Sequence, residues 1–325
     1  MYGLVVRGDS LATKLIPIFV VLTVSSFLVI VLCTLTGPTG FGVVIPSIST
    51  GDIILGIRLP RVLAAFFVGA SLAIAGAALQ ALLKNPLVDP YILGTSSGGA
   101  LGATLAIVFL GGIFVPIFAW IGAVLAILIV LMVAGREYVA VETLVLAGIA
   151  VSLFFSALVS FLIARSGESI RQIMFWLMGG FWNASLSDVI LSTCTLFPVG
   201  IFLFFMGRDL NALSLGDEPA RHLGINALHV RWSVIGGSTL LVAAAVSIAG
   251  PISFVGLVTP HVVRMFLGPD NRILIPACIF VGGMLLVLSD TVTRTFFSDL
   301  PVGIFTAMIG APLFLWLICY RRMLQ

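Results

Sequence analysis

The chain has few charged residues: they make up 9% of its 325 positions, and its only lysines are Lys14 and Lys84. A soluble globular domain carries about 25% charged residues. Apolar residues make up 60% of the chain, and its mean hydropathy is +1.25. Such a chain cannot cover its own surface in water. The composition therefore excludes a soluble domain and predicts an integral membrane protein.

Several kinds of functional site are missing as well. A P-loop ends in Lys followed by Ser or Thr, whereas Lys14 precedes Leu15 and Lys84 precedes Asn85. We therefore expect this chain to bind no ATP, Mg²⁺ or other cofactor, and any ATP hydrolysis to belong to another subunit. No HExxH or paired-carboxylate motif indicates an enzyme, and no basic run indicates a nucleic-acid partner. The four cysteines are isolated in apolar stretches, which favours buried side chains over a disulfide or metal site.

Apolar runs of about 20 residues, each long enough to cross a hydrocarbon core as a helix, recur along the chain. The first run is too long for a signal-peptide core, so we predict that it is retained. We expect an all-α integral membrane protein in which residues 1–325 form one transmembrane domain with about ten transmembrane helices. The predicted spans are Leu15–Thr36, Val62–Leu83, Tyr91–Leu110, Val115–Ala134, Glu142–Ala164, Leu186–Met206, Trp232–Ala249, Pro251–Leu267, Ile273–Val292 and Pro301–Tyr320.

The basic residues predict the orientation of these spans. With the N-terminus in the cytoplasm, eleven of the 16 basic residues fall on the cytoplasmic side. This bias follows the positive-inside rule, so we expect both termini in the cytoplasm. The five remaining arginines would face outward, either as anchors to lipid phosphates or as a docking surface for an acidic partner. They are Arg58, Arg61, Arg165, Arg171 and Arg294.

The longest polar interruption between spans is the loop at residues 207–231, which the predicted orientation places in the cytoplasm. Asp217 and Glu218 precede Pro219, Arg221 follows them, and Gly224 comes next. Acidic residues in the first turn, a basic residue in the last turn and a glycine after the C-terminus are typical of a short helix. This helix is either a solvated connector or a docking element whose leucines fit a groove on a partner.

Two further segments predict a polar path or its mouth. Gly148, Ser152, Ser156 and Ser160 recur every four residues in the fifth span, so they share one helix face. That face either allows close helix packing or lines a polar path, and both can hold at different heights. The stretch after the fifth span is an interfacial aromatic belt or a short outer helix, and its candidate path residues are Arg171, Gln172 and Met174.

The eighth and ninth spans contain local irregularities. Pro251, Pro260 and two glycines predict a broken eighth helix, which is tolerated where protein or a water-filled cavity satisfies the backbone. Near the outer end of the ninth span, Asp290 lies one helical turn before Arg294. We expect these two side chains to form a structural ion pair rather than a proton relay.

Several segments, in chain order, resemble the FecCD-type permease subunits of bacterial ABC importers for iron–siderophore complexes, haem and cobalamin. They are RLPRVLAAFFVGASLAIAGAALQALLKNPLVDPYILGTSSGGALGA from Arg58, LVLAGIAVSLFFSAL from Leu144, RQIMFWLMGG from Arg171, LSLGDEPARHLGIN from Leu213, GPISFVGLVTPHVVR from Gly250 and LPVGIFTAMIGAPLFLWL from Leu300. Together they cover most of the chain.

The resemblance implies the type II ABC importer permease architecture in a bacterial or archaeal cytoplasmic membrane. A homodimer would enclose a central path, with two ATP-binding cassette subunits below it and a periplasmic or lipoprotein substrate-binding protein above it. The ATPase-coupling residues would be Leu215, Gly216, Asp217, Glu218, Ala220, Arg221, Leu223 and Gly224, and the docking residues Arg58, Arg61 and Arg294. Pro219 is atypical of the family at its position.

The resemblance leaves the substrate open among related chelates. An iron chelate, either a siderophore or haem, is the first expectation, and cobalamin or another metal chelate or oxyanion is the alternative. The rival class is a secondary transporter or channel that works without ATP. Such a protein needs charged groups inside its spans, and apart from Asp290 and Glu142, both near span ends, the spans hold almost none.

Overall fold

The computed structural model describes residues 11–37, 40–43, 53–135 and 141–323, with side chains described for residues 15–37, 53–135 and 142–316. Arg7 and Arg136, two of the basic residues behind the predicted orientation, lie outside the described residues, as does much of the Gly/Pro-containing stretch after the first span.

The described chain is almost entirely helical. Its α-helices are α1 Leu11–Leu35, α2 Leu59–Leu82, α3 Thr95–Leu110, α4 Val115–Ala134, α5 Val141–Arg165, α6 Ile170–Met178, α7 Leu186–Phe205, α8 Gly207–Leu215, α9 Asp217–His222, α10 Ala227–Ala249, α11 Val255–Leu267, α12 Asn271–Phe296 and α13 Val302–Met323. A π-helical turn, Ile54–Arg58, leads into α2, and 3₁₀ turns precede α3 (Pro90–Leu93) and α6 (Gly167–Ser169). The short strands β1 Thr36–Gly37 and β2 Gly40–Val43 pair antiparallel after α1.

Among the described residues, seven helices are long and apolar enough to cross a membrane, and three shorter apolar helices, α3, α11 and α13, accompany them. Each predicted span coincides with one of these helices. The bundle thus agrees with a multi-pass membrane protein, while the total of ten crossings stays a prediction. α3 begins at Thr95, four residues later than predicted, because Gly94 before it adopts a left-handed conformation at φ 82°.

The core is built around α2, whose most apolar 18-residue window is 89% buried, against 6% for α1. α2 packs against α12, α10, α11 and α7. Small residues make these contacts possible: Gly69 lies against the backbone of Gly282 in α12, and Gly76 against the backbone of Gly256 in α11. A side chain at either position would collide with a carbonyl group of the neighbouring helix. Close packing of small residues is the usual way in which membrane helices associate.

A second tight pair is formed by α3 and α4, with α5 beside them. Gly98 and Gly122 face each other across the α3–α4 contact, each against the other's carbonyl oxygen. Ala119, Ala123 and Ala126 of α4 are also buried. The pair joins the core through α10, which packs on α4, α3 and α2.

Two helices are broken inside this bundle, and the two breaks contact each other. The first is the turn Pro90–Leu93, and the second is the irregular segment between the end of α10 and the start of α11. The hydroxyl of Tyr91 accepts the backbone N–H of Ile252 at 3.1 Å and donates to the Ile252 carbonyl at 3.2 Å. The backbone is irregular at Gly250–Pro251 as predicted, whereas Pro260 lies inside the continuous helix α11. At this break, protein groups satisfy the backbone of Ile252, as helix breaks in a membrane require.

The bundle has two polar ends. At one end, which we call the arginine end, Arg61 in the first turn of α2 contacts Asp290 near the end of α12. At the other, which we call the loop end, α8 lies against α2 and α12, and α9 packs on α8 and α10. α12 therefore runs from one polar end to the other.

Candidate functional site

Two arginines at the start of α2 meet a third, from the end of α12, at the arginine end. Arg58 closes the π-helical turn, Arg61 follows in α2, and Arg294 lies in the last turn of α12. They come together because α2 begins where α12 ends. With their neighbours they line a cleft of about 580 Å³, which we call the arginine cleft, bordered by Ile53, Ile57, Arg58, Arg61, Arg294, Thr295, Phe296, Ser298 and Asp299.

Arg61 holds two carboxylates at once. Its Nε donates to Asp290 at 3.0 Å and its Nη2 at 2.8 Å, so this pair is bidentate. Nη2 also donates to Asp299 Oδ1 at 2.5 Å, and Nη1 to Asp299 Oδ2 at 3.3 Å. Asp290 is only 1% exposed, so it depends on Arg61 for compensation of its charge. The expected partner of Asp290 was Arg294, and that prediction is wrong: Arg61 takes its place.

Arg294 is 7% exposed and donates from Nη2 to the backbone carbonyl of Cys33, at the end of α1, at 2.7 Å. Its guanidinium therefore ties α12 to α1 and offers little surface to a partner. Arg58 differs in being partly exposed, and its buried Nη1 forms no hydrogen bond with any residue that the structure describes, as is also true of Nε of Arg294. The docking role predicted for these arginines stays a prediction, and the geometry favours Arg58 and Arg61 over Arg294.

At the loop end the structure has two short helices where the sequence predicted one. α8 ends at Leu215, Gly216 follows with a positive φ of 132° that favours glycine, and α9 occupies Asp217–His222. Gly224, in a left-handed conformation at φ 78°, reverses the chain after α9, as the sequence predicted for a closing glycine.

Both short helices are tied to long ones. In α9, Asp217 accepts hydrogen bonds of 2.7 and 3.0 Å from Nη2 of Arg231 in α10, and Lys84 lies 3.8 Å away. In α8, Asn211 donates to Asp270 at 2.6 Å and accepts the backbone N–H of Asn271 at 2.9 Å. Side-chain contacts therefore join α9 to α10 and α8 to the start of α12.

The outer surface of the loop end combines apolar and charged side chains. Leu215 and Leu223 are 72% and 66% exposed, although the segment around them is polar. They border a groove of about 470 Å³ that also contains Arg208 and Asp209. Ala220 is buried against the loop, while Glu218 and Arg221 are exposed.

One carboxyl group at this end has a shifted pKa. Hydrogen bonding from Arg272, with a further contribution from Asn211, lowers the pKa of Asp270 to about 2. Asp270 also accepts the Arg272 backbone N–H as the N-cap of α12. It therefore stays ionised at a pH well above 2.

The face of α5 that carries Gly148, Ser152, Ser156 and Ser160 has a packed half and an exposed half. Gly148 lies against the backbone carbonyl of Ile92, and Ser152 lies near Gly94, so this half serves close helix packing. Ser156 and Ser160 are exposed, and the Ser160 hydroxyl donates to the Ser156 carbonyl at 2.9 Å. The open half remains available to line a path, which stays a prediction.

Beyond α5, the short helix α6 forms at the arginine end. Its Ile173 is fully buried, while Arg171, Gln172 and Met174 are exposed. Gln172 borders a pocket of about 270 Å³ that also includes Trp176 and Trp182. A short helix is therefore present in this stretch, while its outer position and its path residues stay predictions.

Sequence reasoning missed Asp89. Its carboxylate caps the 3₁₀ turn by accepting the Tyr91 backbone N–H at 2.9 Å, next to the break in α10–α11. The signal in the sequence was the Asp-Pro pair after KNPLV, which is typical of a capped turn. Within the described part of the chain, no group of three or more His, Cys, Asp and Glu residues is placed to hold a metal ion.

Comparisons with known proteins agree with this arrangement. The profile of the FecCD transport family matches residues 49–320. The cobalamin import system permease protein BtuC of Halobacterium salinarum is 41% identical over 88% of this chain and 77% of its own length. The vitamin B12 import system permease protein BtuC of Vibrio vulnificus is 39% identical over 82% of each chain.

Among solved structures, an inward-facing conformation of an ABC transporter, described as being of proposed metal-chelate type, superposes with a TM-score of 0.87. It is 35% identical and covers 94% of this chain and 99% of that chain. A family match over most of the chain, together with this likeness in sequence and fold, defines the family. This chain is a multi-pass membrane protein that belongs to the FecCD transport family of ABC importer permeases.

Proposed function

We propose that the chain forms a homodimer whose central path carries a metal chelate inward across the cytoplasmic membrane. Two ATP-binding cassette subunits bind the loop end on the cytoplasmic side. A substrate-binding protein, periplasmic or lipid-anchored, docks at the arginine end outside. The observation that carries this proposal is the polarity of the bundle: one end holds three arginines around a cleft, and the other holds two short helices with exposed leucines.

The loop end has the properties of a docking element for a motor subunit. Leu215 and Leu223 would be exposed to water in an isolated permease, and a partner that covers them removes apolar surface from water. The groove beside them, of about 470 Å³, is large enough to accept a side chain of that partner. The links from Asp217 to Arg231 and from Asn211 to Asp270 give motion at this surface a route into α10 and α12. ATP and Mg²⁺ belong to the motor subunit.

The arginine end suits an acidic partner. Among the described residues at the cleft, three arginines (Arg58, Arg61 and Arg294) face two carboxylates (Asp290 and Asp299), an excess of one positive charge. The bias of basic residues towards the loop end supports placing the loop end in the cytoplasm and the arginine end outside. A positive cleft outside the membrane attracts a negatively charged protein and orients its approach.

The path between the two ends is proposed to be wide and weakly binding. Ser156 and Ser160 provide hydroxyl groups on α5, and α6 provides Gln172 and Met174 at the outer mouth. Described residues of the spans offer no metal cluster along this route. Small and hydroxyl side chains let a bulky ligand pass without holding it, which a translocation path requires.

For the substrate, we infer a cobalt corrinoid first and an iron chelate second. The iron chelate was the first expectation from sequence. Two relatives that each match more than four fifths of this chain carry names for cobalamin or vitamin B12 import, which favours the corrinoid. The solved metal-chelate type transporter is compatible with either ligand.

A ligand competition experiment tests the substrate. The cognate binding protein is titrated with cyanocobalamin, haem and a ferric siderophore, and the loaded protein is then offered to the permease with its ATPase in proteoliposomes. We expect ATP-dependent accumulation of cyanocobalamin. Accumulation of the ferric siderophore or haem with none of cyanocobalamin would reject the corrinoid in favour of the iron chelate.

A further inference from the structure

Arg61 contacts two carboxylates that differ sharply in exposure. Asp290 is 1% exposed and is bound through the bidentate pair, whereas Asp299 is 39% exposed and lies at the rim of the arginine cleft. The inner carboxylate belongs to the body of α12. The outer one belongs to the turn that follows α12, so it can leave the guanidinium without unfolding a helix.

The turn that presents Asp299 has an uncommon backbone. Ser298 and Asp299 both have positive φ, 50° and 66°, a conformation that residues other than glycine rarely adopt. Two hydrogen bonds hold the turn there: the Asp299 N–H donates to the Thr293 carbonyl at 3.2 Å, and Trp182 Nε1 donates to the Asp299 carbonyl at 3.2 Å. These two hydrogen bonds and the ion pair with Arg61 therefore offset the conformational cost of the positive φ angles.

The contact with Asp299 shows which chemistry the outer face of Arg61 accepts. A guanidinium binds a carboxylate through paired N–H donors, and here Nη1 and Nη2 both point at Asp299. If Asp299 left with nothing in its place, a largely buried arginine would lose part of its charge compensation, which is costly. A second carboxylate, supplied from outside, restores it.

We propose that Asp299 is an internal stand-in for a carboxylate of the substrate-binding protein. In the undocked permease it occupies the outer N–H groups of Arg61, and on docking an acidic side chain of the partner takes its place while Asp290 stays bound. This inference rests on the proposed function, in which the binding protein docks at the arginine end.

The exchange has two consequences. Docking replaces one ion pair by another, so it gains little from Arg61 itself and the complex stays easy to dissociate between transport cycles. Displacement of the turn also removes the carbonyl acceptor of Trp182. Trp182 lies between α6 and α7 and lines the pocket at the proposed mouth of the path. Docking at the arginine cleft therefore changes a contact at that mouth.

Replacement of the stand-in tests the proposal. Asp299→Asn removes the charge but keeps a residue that tolerates positive φ. The dissociation constant of the cognate binding protein is measured on the permease–ATPase complex in nanodiscs. Loss of an exposed competing ion pair should tighten binding about fivefold, the equivalent of ~1 kcal/mol.

A matched control separates exchange from general repulsion. Glu168→Gln removes one exposed negative charge from the same end, in the 3₁₀ turn before α6. If Asp299 only repels an acidic partner at long range, both variants tighten binding alike and the proposal fails. Unchanged or weaker binding by Asp299→Asn also overturns it.

A background variant shows which side chain the gain depends on. In Arg61→Lys the positive charge beside Asp290 is kept, but the forked guanidinium that holds both carboxylates is lost. The gain in affinity from Asp299→Asn should disappear in this background, and a gain of the same size would overturn the exchange.

Arg58→Gln tests the proposed function separately. If it weakens docking while Asp299→Asn changes nothing, only the stand-in fails, and if no arginine variant alters affinity, docking at this end fails.

Discussion

In the proposed mechanism, the ion pair between Asp217 and Arg231 passes movement of α9 to α10, and Asp217→Asn removes its negative charge. Arg231 donates to both carboxylate oxygens, at 2.7 and 3.0 Å. The Asp217 side chain is 41% exposed, so the pair is worth about 0.5–1 kcal/mol. Its negative charge in the first turn of α9 adds about 0.3–1 kcal/mol by interaction with the helix dipole.

Loss of about 1–2 kcal/mol of stabilisation by Asp217 changes the ratio of α9 held against α10 to α9 released from it by a factor of about 5–30. If α9 passes the motor's movement to α10, more ATP is then hydrolysed without transport. In proteoliposomes that contain the permease, its ATPase and loaded binding protein outside, we expect ATP hydrolysis by Asp217→Asn to persist. The number of substrate molecules taken up per ATP should fall severalfold.

The control for this prediction is Glu142→Gln, which removes a carboxylate from the first turn of α5 at the same end. It should leave the ratio of uptake to hydrolysis unchanged. Hydrogen exchange of the α9 amides establishes whether Asp217→Asn has loosened the helix. Faster exchange in α9 with an unaltered uptake ratio would refute the coupling argument, because the helix would then be free without loss of transport.

Three further outcomes follow from the packing, the titration and the path. Gly76→Ala should destabilise the protein by about 1–3 kcal/mol, because a Cβ there meets the α11 backbone. Gly236→Ala, at a position with open space around it, should stabilise the protein by about 0.5–1 kcal/mol. Thermal unfolding in detergent distinguishes the two variants. Because Arg272 lowers the pKa of Asp270 to about 2 from 3.8, stabilisation by this contact is present above about pH 4 and is lost as the pH falls towards 2. Asp270→Asn should remove that part of the pH dependence of unfolding. Ser156→Trp should narrow the path and lower uptake severalfold without lowering ATP hydrolysis, and equal losses of both would place Ser156 outside the path.

Local patterns predicted the local structure well. Apolar runs located the helices, and the helix at α4 has the predicted bounds, Val115–Ala134. The acids and glycines around α9 predicted a short helix because capping and dipole effects act within one or two turns. The break before α11 was visible for the same reason, since Gly and Pro act on their own backbone.

Contacts between distant segments could not be predicted in this way. Asp290 was assigned to Arg294 because one helical turn separates them, but its partner, Arg61, is 229 positions away. The burial of Arg294 likewise depends on α1, which the local sequence of α12 does not specify. Gly148 and Ser160 share one face by spacing, yet only the structure shows that one packs against backbone and the other is open.

The central claim is that this permease moves a chelate only when a motor acts at the loop end and a loaded binding protein docks at the arginine end. The most direct measurement is the uptake of labelled cyanocobalamin into proteoliposomes that contain the permease with its ATPase, with and without ATP and the binding protein. The account predicts accumulation only when both are present. Accumulation of the label with an ion gradient alone, in the absence of ATP, would contradict it.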